Sequence, residues 1–195
     1  MSAVSTPSCA SCESKECRHG KDCFDAADRH RALYENERIA RLHRAASAIE
    51  ARHYGQEPRL REVILLANEL GCKKIGLAFC VGLAEEAKVI EGLLARDFEM
   101  ASVCCKACGL AKRLLGLEQI KADDQREVMC NPAGQAELLN AAGTDLNVVC
   151  GLCVGHDAVF GMISAAPVTT LIVKDRVLAH NPVGAVYCPY VRRRM

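Results

Sequence analysis

The chain has 195 residues, with 25 basic side chains against 24 acidic ones and a formal net charge of +1. This length suits one domain with at most a small appendage, and it is enough to bury a sizeable core. The balanced charge excludes the concentrated basic surface typical of nucleic-acid binding, and 4% aromatic residues leave few stacking platforms. No apolar run is long enough to span a bilayer. We therefore expect neither nucleic acid nor a membrane as a partner.

Cysteine is the unusual component, with 13 residues in the chain. The first ten residues have neither the basic start nor the apolar stretch of a secretory signal, so we expect the cytoplasm. In that reducing compartment, many cysteines indicate metal binding or thiol chemistry rather than disulfides.

The first part of the chain changes character twice. Residues 1–24 are polar and rich in cysteine, and we predict a separate metal-binding module there. Residues 25–195 are predicted to form a second domain that begins with helices. Apolar spacing predicts one helix over residues 26–53 and another over residues 59–70, ended by Gly71. The apolar face of the first helix contains Ile39, Leu42, Ala46 and Ile49.

Strands and helices alternate from residue 74 onwards. The predicted strands cover residues 74–79, 100–103, 146–149 and 169–173. The predicted helices cover residues 84–96, 110–115, 132–140 and 156–163. Strands separated by helices favour parallel pairing with right-handed crossovers. The predicted fold class is α/β, a small Rossmann-like open parallel sheet with flanking helices, preceded by the cysteine-rich module.

Four cysteines lie within fifteen residues of the first module, at the spacing Cys-x2-Cys-x4-Cys-x5-Cys. They are Cys9, Cys12, Cys17 and Cys23. Four thiolates can form a tetrahedral zinc site, and they can equally hold the corners of an iron–sulfur cluster. The alternative is a flexible tail with incidental cysteines, which this regular spacing does not favour.

A second set of residues follows the predicted strands. The residues directly after the four strands are Cys80, Cys104, Cys105, Cys150 and Lys174. Ligands of open parallel sheets bind outside the carboxyl ends of the strands, so we expect these residues to converge there with Cys108, Cys130 and Cys153. The alternative is that some cysteines are small core residues. Cys72 and Cys188 fit that packing role better than a ligand role.

Local motifs add detail to this second set. Two Cys-x2-Cys pairs occur, Cys105 with Cys108 and Cys150 with Cys153. Zinc knuckles, iron–sulfur sites and thiol redox motifs all use this spacing. A helix that begins at His156 favours the thiolate of Cys153. His156 and Lys174 are the candidate catalytic residues, as proton donors or acceptors, although each also fits an ordinary surface position.

Three motifs resemble an uncharacterised metal-binding protein family, a domain of unknown function found mainly in anaerobic prokaryotes. The motifs are C-N-P at residues 130–132, G-L-C-V-G-H-D at residues 151–157 and K-D-R-V-L-A-H-N-P at residues 174–182. The resemblance includes the amino-terminal cysteine module and implies metal binding without an assigned reaction. By motif it indicates Cys9, Cys12, Cys17, Cys23, Cys80, Cys105, Cys130 and Cys153. Outside these motifs lie Cys104, Cys108 and Cys150.

The function favoured by the sequence is that of an iron–sulfur protein. One cluster, expected as 4Fe–4S, is predicted on the first module, and Cys105, Cys130 and Cys153 are predicted to bind a second. Cys80 is a further cofactor-binding candidate there. The expected activity is redox or sulfur-related chemistry with a small molecule or an electron-transfer partner. Two alternatives stay open, because zinc also accepts four thiolates: a zinc protein with a structural knuckle and no catalysis, and a metal-free protein for thiol redox or sulfur transfer.

Overall fold

The computed structural model describes residues 6–121 and 126–195. The chain divides into two compact units, one up to Tyr54 and the other from Gly55 onwards. The boundary predicted at residue 24 lies inside the first unit, so a separate module over residues 1–24 stays a prediction.

The first unit starts with two short 3₁₀ turns, Cys9–Ser11 and Glu16–His19, before its helices. The helices are α1 (Ala27–Ala32) and α2 (Glu37–His53), with a further 3₁₀ turn over Leu33–Glu35. The sequence pattern predicts one continuous helix here, but the structure breaks it at Asn36. The Asn36 side chain accepts hydrogen bonds from the N–H groups of Arg38 and Ile39, at 3.1 and 3.3 Å. Asn36 therefore caps a new helix.

The second unit is a four-stranded sheet with helices on both faces. Its strands are β1 (Lys74–Phe79), β2 (Glu99–Cys104), β3 (Leu146–Cys150) and β4 (Val168–Ile172). Its helices are α3 (Arg59–Glu69), α4 (Ala84–Leu94), α5 (Pro132–Ala141), α6 (His156–Ile163), α7 (Val183–Tyr187) and α8 (Pro189–Arg192). The predicted α/β class with an open parallel sheet is confirmed. The helix predicted over residues 110–115 is a 3₁₀ turn, Lys112–Leu115.

The order of the strands is β2-β1-β3-β4, and every pair is parallel. From β1 the chain first moves outwards to β2, and it then returns to the other side of β1 to form β3. The strand order therefore reverses between β1 and β3. In open parallel sheets, ligands bind outside the carboxyl ends of the two strands at such a reversal. Cys80 directly follows β1, and Cys150 is the last residue of β3.

The hydrophobic core has two layers, one on each face of the sheet. Leu77 of β1 and Val148 of β3 belong to the layer that contains buried residues of α3 and α4. Ala78 and Val149, the next residues along the same strands, belong to the layer that contains Phe160 of α6. Both faces of β1 and β3 are thus covered, which explains why these strands are continuously apolar.

Within the described residues, no helix has the length and apolar character needed to cross a bilayer.

Candidate functional site

The four cysteines of the first unit line a single cavity. Its volume is about 310 Å³, and its lining includes Cys9, Cys12, Cys17 and Cys23. The surrounding segment, residues 6–25, is here called the cysteine loop. It contains no buried apolar side chain, so no hydrophobic core within it determines its conformation.

Hydrogen bonds shape the cysteine loop instead. The Lys15 ammonium donates to the backbone carbonyl of Cys9, and Lys15 itself has a left-handed backbone with a φ of 47°. The Asp22 carboxylate accepts the N–H groups of Ala27 and Phe24, at 2.8 and 3.1 Å. These two donors are the main reason why the pKa of Asp22 is lowered. Asp22 therefore fixes the turn that contains Cys23 against the start of α1.

The thiol of Cys12 is polarised by two neighbouring residues. The N–H of Lys15 and, to a lesser degree, the hydroxyl of Ser14 lower the pKa of Cys12. The Ser14 oxygen lies 3.7 Å from the Cys12 sulfur. A lower pKa favours the thiolate, which is the form that binds metals.

The second group of cysteines lies where the strands of the second unit end, here called the sheet edge: the residues that follow β1, β2, β3 and β4. Cys80 and Cys105 lie close enough there for each thiol to influence the ionisation of the other. Both are buried, with 5% and 2% of their surface exposed. The N–H of Val81 donates to the Cys105 sulfur at 3.3 Å. The backbone N–H of Cys105 donates to the carbonyl of Phe79 at 2.8 Å, which keeps the two segments paired.

The two thiols at this contact differ in their acidity. Burial opposes ionisation of Cys80, but the N–H of Gly82 and the charge of Lys174 outweigh it, so the pKa of Cys80 is lowered. Burial raises the pKa of Cys105 to about 12, and the nearby thiols of Cys130 and Cys80 act in the same direction. The pKa of Cys80 is thus lowered while that of its neighbour Cys105 is raised, which favours the thiolate on Cys80.

Contacts connect two more of the predicted cysteines to this pair. The N–H of Asn131, next to Cys130, donates to the carbonyl of Cys105 at 2.8 Å. The Arg176 guanidinium donates from Nη2 to the sulfur of Cys153 at 2.9 Å. This hydrogen bond and the charge of Cys153 raise the pKa of Arg176, and the charges of Cys80 and Cys130 act in the same direction. Arg176 therefore interacts electrostatically with three of the four predicted cysteines of the sheet edge.

Lys174 lies near Cys80, and the backbone N–H of His156 donates to the carbonyl of Cys153 at 2.9 Å. A Cβ atom added to Gly82 would be 3.3 Å from Nζ of Lys174 and 3.9 Å from the Cys80 sulfur, so Gly82 lies between them. His156 is the first residue of α6. Burial lowers the pKa of His156, and the positive charges of Lys106 and Arg176 lower it further. The neutral imidazole is thus favoured, and it can accept a proton.

The remaining cysteines have separate environments. Cys150 is fully buried in the core layer beside α3 and α4, and burial raises its pKa to about 11. Cys104 is half-buried, whereas Cys108 is exposed in a 3₁₀ turn with a φ of 68°. Cys72 packs against the same core layer as Cys150, as predicted for a packing residue. Cys188 is half-buried.

Sequence reasoning missed Gln135, a fully buried residue of α5. Its Nε2 donates to the carbonyls of Val103 and Phe79, at 2.7 and 3.2 Å. Phe79 is the last residue of β1 and directly precedes Cys80, and Val103 directly precedes Cys104 at the end of β2. The Oε1 atom of Gln135 has no hydrogen-bond partner among the described residues. The signal that the sequence offered for this role was an amide side chain beside a small apolar residue, Ala136, in a helix predicted to flank the sheet.

Among residues 6–121 and 126–195, no group of three or more His, Cys, Asp or Glu side chains is arranged to hold a metal ion. The metal, cofactor and catalytic assignments stay predictions.

Comparison with known proteins identifies a family without an assigned function. The profile of a family described as "Protein of unknown function (DUF1847)" matches residues 18–171. A protein of Methanocaldococcus jannaschii named "Uncharacterized protein MJ0455" is 45% identical over 188 residues, which cover 96% of this chain and 97% of the relative. No solved structure matches the chain. The predicted resemblance to a family of unknown function is confirmed, and its metal-binding character stays a prediction.

Proposed function

The chain belongs to the DUF1847 family of proteins of unknown function, and from its own residues we propose that it is an iron–sulfur protein with two cysteine sites. The first site holds a 4Fe–4S cluster on the cysteine loop. The second is a cysteine-ligated site at the sheet edge, which acts in redox or sulfur-related chemistry on a small molecule. We place the protein in the reducing cytoplasm, where its thiols stay free.

The observation that carries the proposal is the cavity lined by Cys9, Cys12, Cys17 and Cys23. Ordering the backbone costs about 1–2 kcal/mol per residue. The cysteine loop buries no apolar side chain to offset this cost. Binding of a structural metal supplies free energy on the order of 10 kcal/mol, so a ligand in this cavity would hold the loop in place.

The four thiolates of the cysteine loop are compatible with two kinds of metal site. Zinc binds four sulfurs at about 2.3 Å, which leaves no empty space between them. A 4Fe–4S cluster uses the same number of thiolates but places several iron and sulfide atoms between them. Both groups use the four thiolates that line the cavity, so the metal assay described below decides between them.

At the sheet edge, Cys105, Cys130 and Cys153 are the proposed ligands, with Cys80 beside them. A cluster bound there would supply electron transfer, or an open iron that acts as a Lewis acid. The chain's own residues set the charges around it. Lys174 favours the ionised form of Cys80, and the Arg176 guanidinium donates a hydrogen bond to Cys153. His156 is the proposed proton acceptor, and Lys174 the proposed proton donor.

The decisive experiment is purification without oxygen, followed by an absorption spectrum and assays of iron, zinc and acid-labile sulfide. We expect a brown protein that contains iron and sulfide. A colourless protein with stoichiometric zinc would contradict the cluster and support the zinc knuckle.

Serine variants test the cysteine loop separately. We expect Cys9→Ser and Cys12→Ser to lose about half of the iron, because each removes one ligand of one of two clusters. Circular dichroism should show that the α/β unit stays folded, since the cysteine loop adds nothing to its core. Cys188→Ser is the matched control and should keep its iron. Unchanged iron in Cys12→Ser, or global unfolding, would contradict the assignment.

A second candidate function is thiol redox chemistry without a metal. The supporting observation is the proximity of Cys80 and Cys105: the N–H of Val81, the residue after Cys80, donates to the Cys105 sulfur at 3.3 Å, and the two thiols have opposite pKa shifts. Of two such thiols, the more acidic attacks a disulfide first and the other resolves the mixed disulfide. The redox pairs predicted from the sequence, Cys105 with Cys108 and Cys150 with Cys153, stay open beside it. A metal-free protein whose Cys80 reacts fastest with a disulfide reagent would support this function.

A further inference from the structure

Two positively charged side chains lie together at the sheet edge. Lys174 and Arg176 lie in the segment that follows β4. Within the part of the chain that the structure describes, neither forms an ion pair with a carboxylate, whereas Lys112 pairs with Glu127 at 2.7 Å. Both side chains lie close to thiols instead. Nζ of Lys174 and the Cys80 sulfur are both within 4 Å of a Cβ atom added to Gly82, and Nη2 of Arg176 donates to the Cys153 sulfur at 2.9 Å.

The segment that contains Lys174 and Arg176 is held in an unfavourable backbone conformation. Ala179 and His180 both have left-handed backbones, with φ of 49° and 64°. Each such residue costs about 1–2 kcal/mol when it is not glycine. Strained residues of this kind are concentrated at ligand sites, where the surrounding structure holds them in place.

Asp175 supplies the contacts that hold this conformation. Its carboxylate accepts the N–H groups of Leu178 and Val177, at 2.8 and 2.9 Å. Its backbone N–H donates to Nδ1 of His180 at 3.1 Å, and its carbonyl accepts the N–H of His180 at 2.9 Å. Asp175 stands between Lys174 and Arg176 in the sequence. The interactions of Asp175 therefore fix the backbone from which both positively charged side chains extend.

The position of these charges is that of a ligand site. They lie near Cys80 and Cys153, which follow β1 and β3, the two strands between which the strand order reverses. Small ligands of open parallel sheets bind outside the ends of that strand pair. Arginine binds planar oxyanions through two N–H groups, and lysine adds a point charge.

We infer that Lys174 and Arg176 together bind an oxyanion group, a carboxylate or a phosphate, of the small molecule on which the sheet edge acts. The inference specifies the substrate class of the proposed second site and rests on that proposal. Arg176 keeps further N–H donors for the ligand beyond the Nη2 group that contacts Cys153.

Isothermal titration calorimetry of the full chain, purified without oxygen, tests the inference with malonate and with inorganic phosphate as probes. We expect saturable binding of one of them at up to about 10 mM. Malonate binding alone assigns a carboxylate, and phosphate binding alone assigns a phosphate. Lys174→Gln and Arg176→Gln should each weaken binding about tenfold or more. Lys88→Gln, which removes an exposed positive charge of α4, is the matched control and should bind as the parent does.

Iron and sulfide are measured on every sample, so that the two proposals fail separately. Weaker binding with unchanged iron and sulfide supports the oxyanion site. Binding by a parent protein that lacks iron and sulfide supports the oxyanion site but refutes the cluster. Three outcomes would overturn the inference, because the charges would then serve no oxyanion ligand. They are the absence of saturable binding, equally weakened binding in Lys88→Gln, and variants that lose binding only together with their iron.

Discussion

Replacing Gln135 with methionine would test whether its buried amide holds the ends of β1 and β2 together. The substitution keeps an unbranched side chain but removes two hydrogen bonds, to the carbonyls of Val103 and Phe79. Each such bond contributes about 1 kcal/mol. The variant also loses the buried Oε1 atom, which has no partner among the described residues and costs about 1 kcal/mol or more. We therefore expect a net loss of about 1 kcal/mol in the free energy of unfolding.

Gln135→Glu should cost much more at neutral pH. It replaces the donating NH₂ group with a second oxygen, which would face two carbonyl oxygens in a fully buried position. An uncompensated buried charge costs about 3–5 kcal/mol. Burial should raise the pKa of the new carboxyl, and its protonated form can donate one of the lost hydrogen bonds. The stability of this variant should therefore increase as the pH falls.

Urea unfolding followed by circular dichroism, without oxygen and at pH 5 to 8, measures both effects. Gln56→Met, at an exposed position, is the control and should unfold as the parent does. The reasoning is refuted if Gln135→Glu is as stable as Gln135→Met at pH 7 or gains no stability at pH 5. In either case, the hydrogen bonds that the Gln135 amide donates to the ends of β1 and β2 would not contribute to stability.

Three further predictions concern single residues of the second unit. Cys153→Ser should lose most of the iron and sulfide of the second site, whereas Cys72→Ser should keep both; equal losses would contradict convergence of the sheet-edge cysteines. Because burial raises the pKa of Cys150 to about 11, the folded state keeps a proton that the unfolded thiol loses near pH 9, and stability should fall as the pH rises between these values. Urea unfolding of the metal-free chain should show this loss of stability, by up to about tenfold in the folding equilibrium per pH unit. The stability of Cys150→Ala should depend less on pH, and an equal pH dependence in the parent and the variant would argue against the assignment. Gly76→Ala would place a Cβ atom 1.9 Å from Oδ1 of Asn147, so we expect a loss of about 1–3 kcal/mol, and an unchanged melting temperature would disprove the clash.

The strands and most helices of the second unit were predictable from the sequence. The strand over residues 74–79 and the helix over residues 156–163 have the predicted bounds. Buried parallel strands are short apolar runs, and here Gly71 and Gly143 precede two of them. Local sequence thus contains the signals for these elements.

Other features depend on contacts that the sequence does not specify. Helical spacing places Ile39 on the same face as Ile49, but Ile39 is 45% exposed while Ile49 is buried. The helix breaks at Asn36 because the Asn36 side chain caps α2. The sequence pattern alone is equally compatible with Asn36 inside one continuous helix. The strand order, which puts Cys80 beside Cys150, arises from packing between distant segments. The pKa shifts of Cys80 and Cys105 depend on that strand order, so the spacing of the cysteines along the sequence could not predict them.

The two cysteine sets differ in how far apart their members lie along the chain. Cys9 and Cys23 are separated by a short loop, so this set is complete soon after it leaves the ribosome. The other set is complete only when β1, β2 and β3 have paired, since its members extend from Cys80 to Cys153. Contacts between distant segments form late in folding. On the proposed function, iron and sulfide delivered to the nascent chain would therefore reach the first set before synthesis ends, whereas the second set would accept a cluster only after the chain has folded.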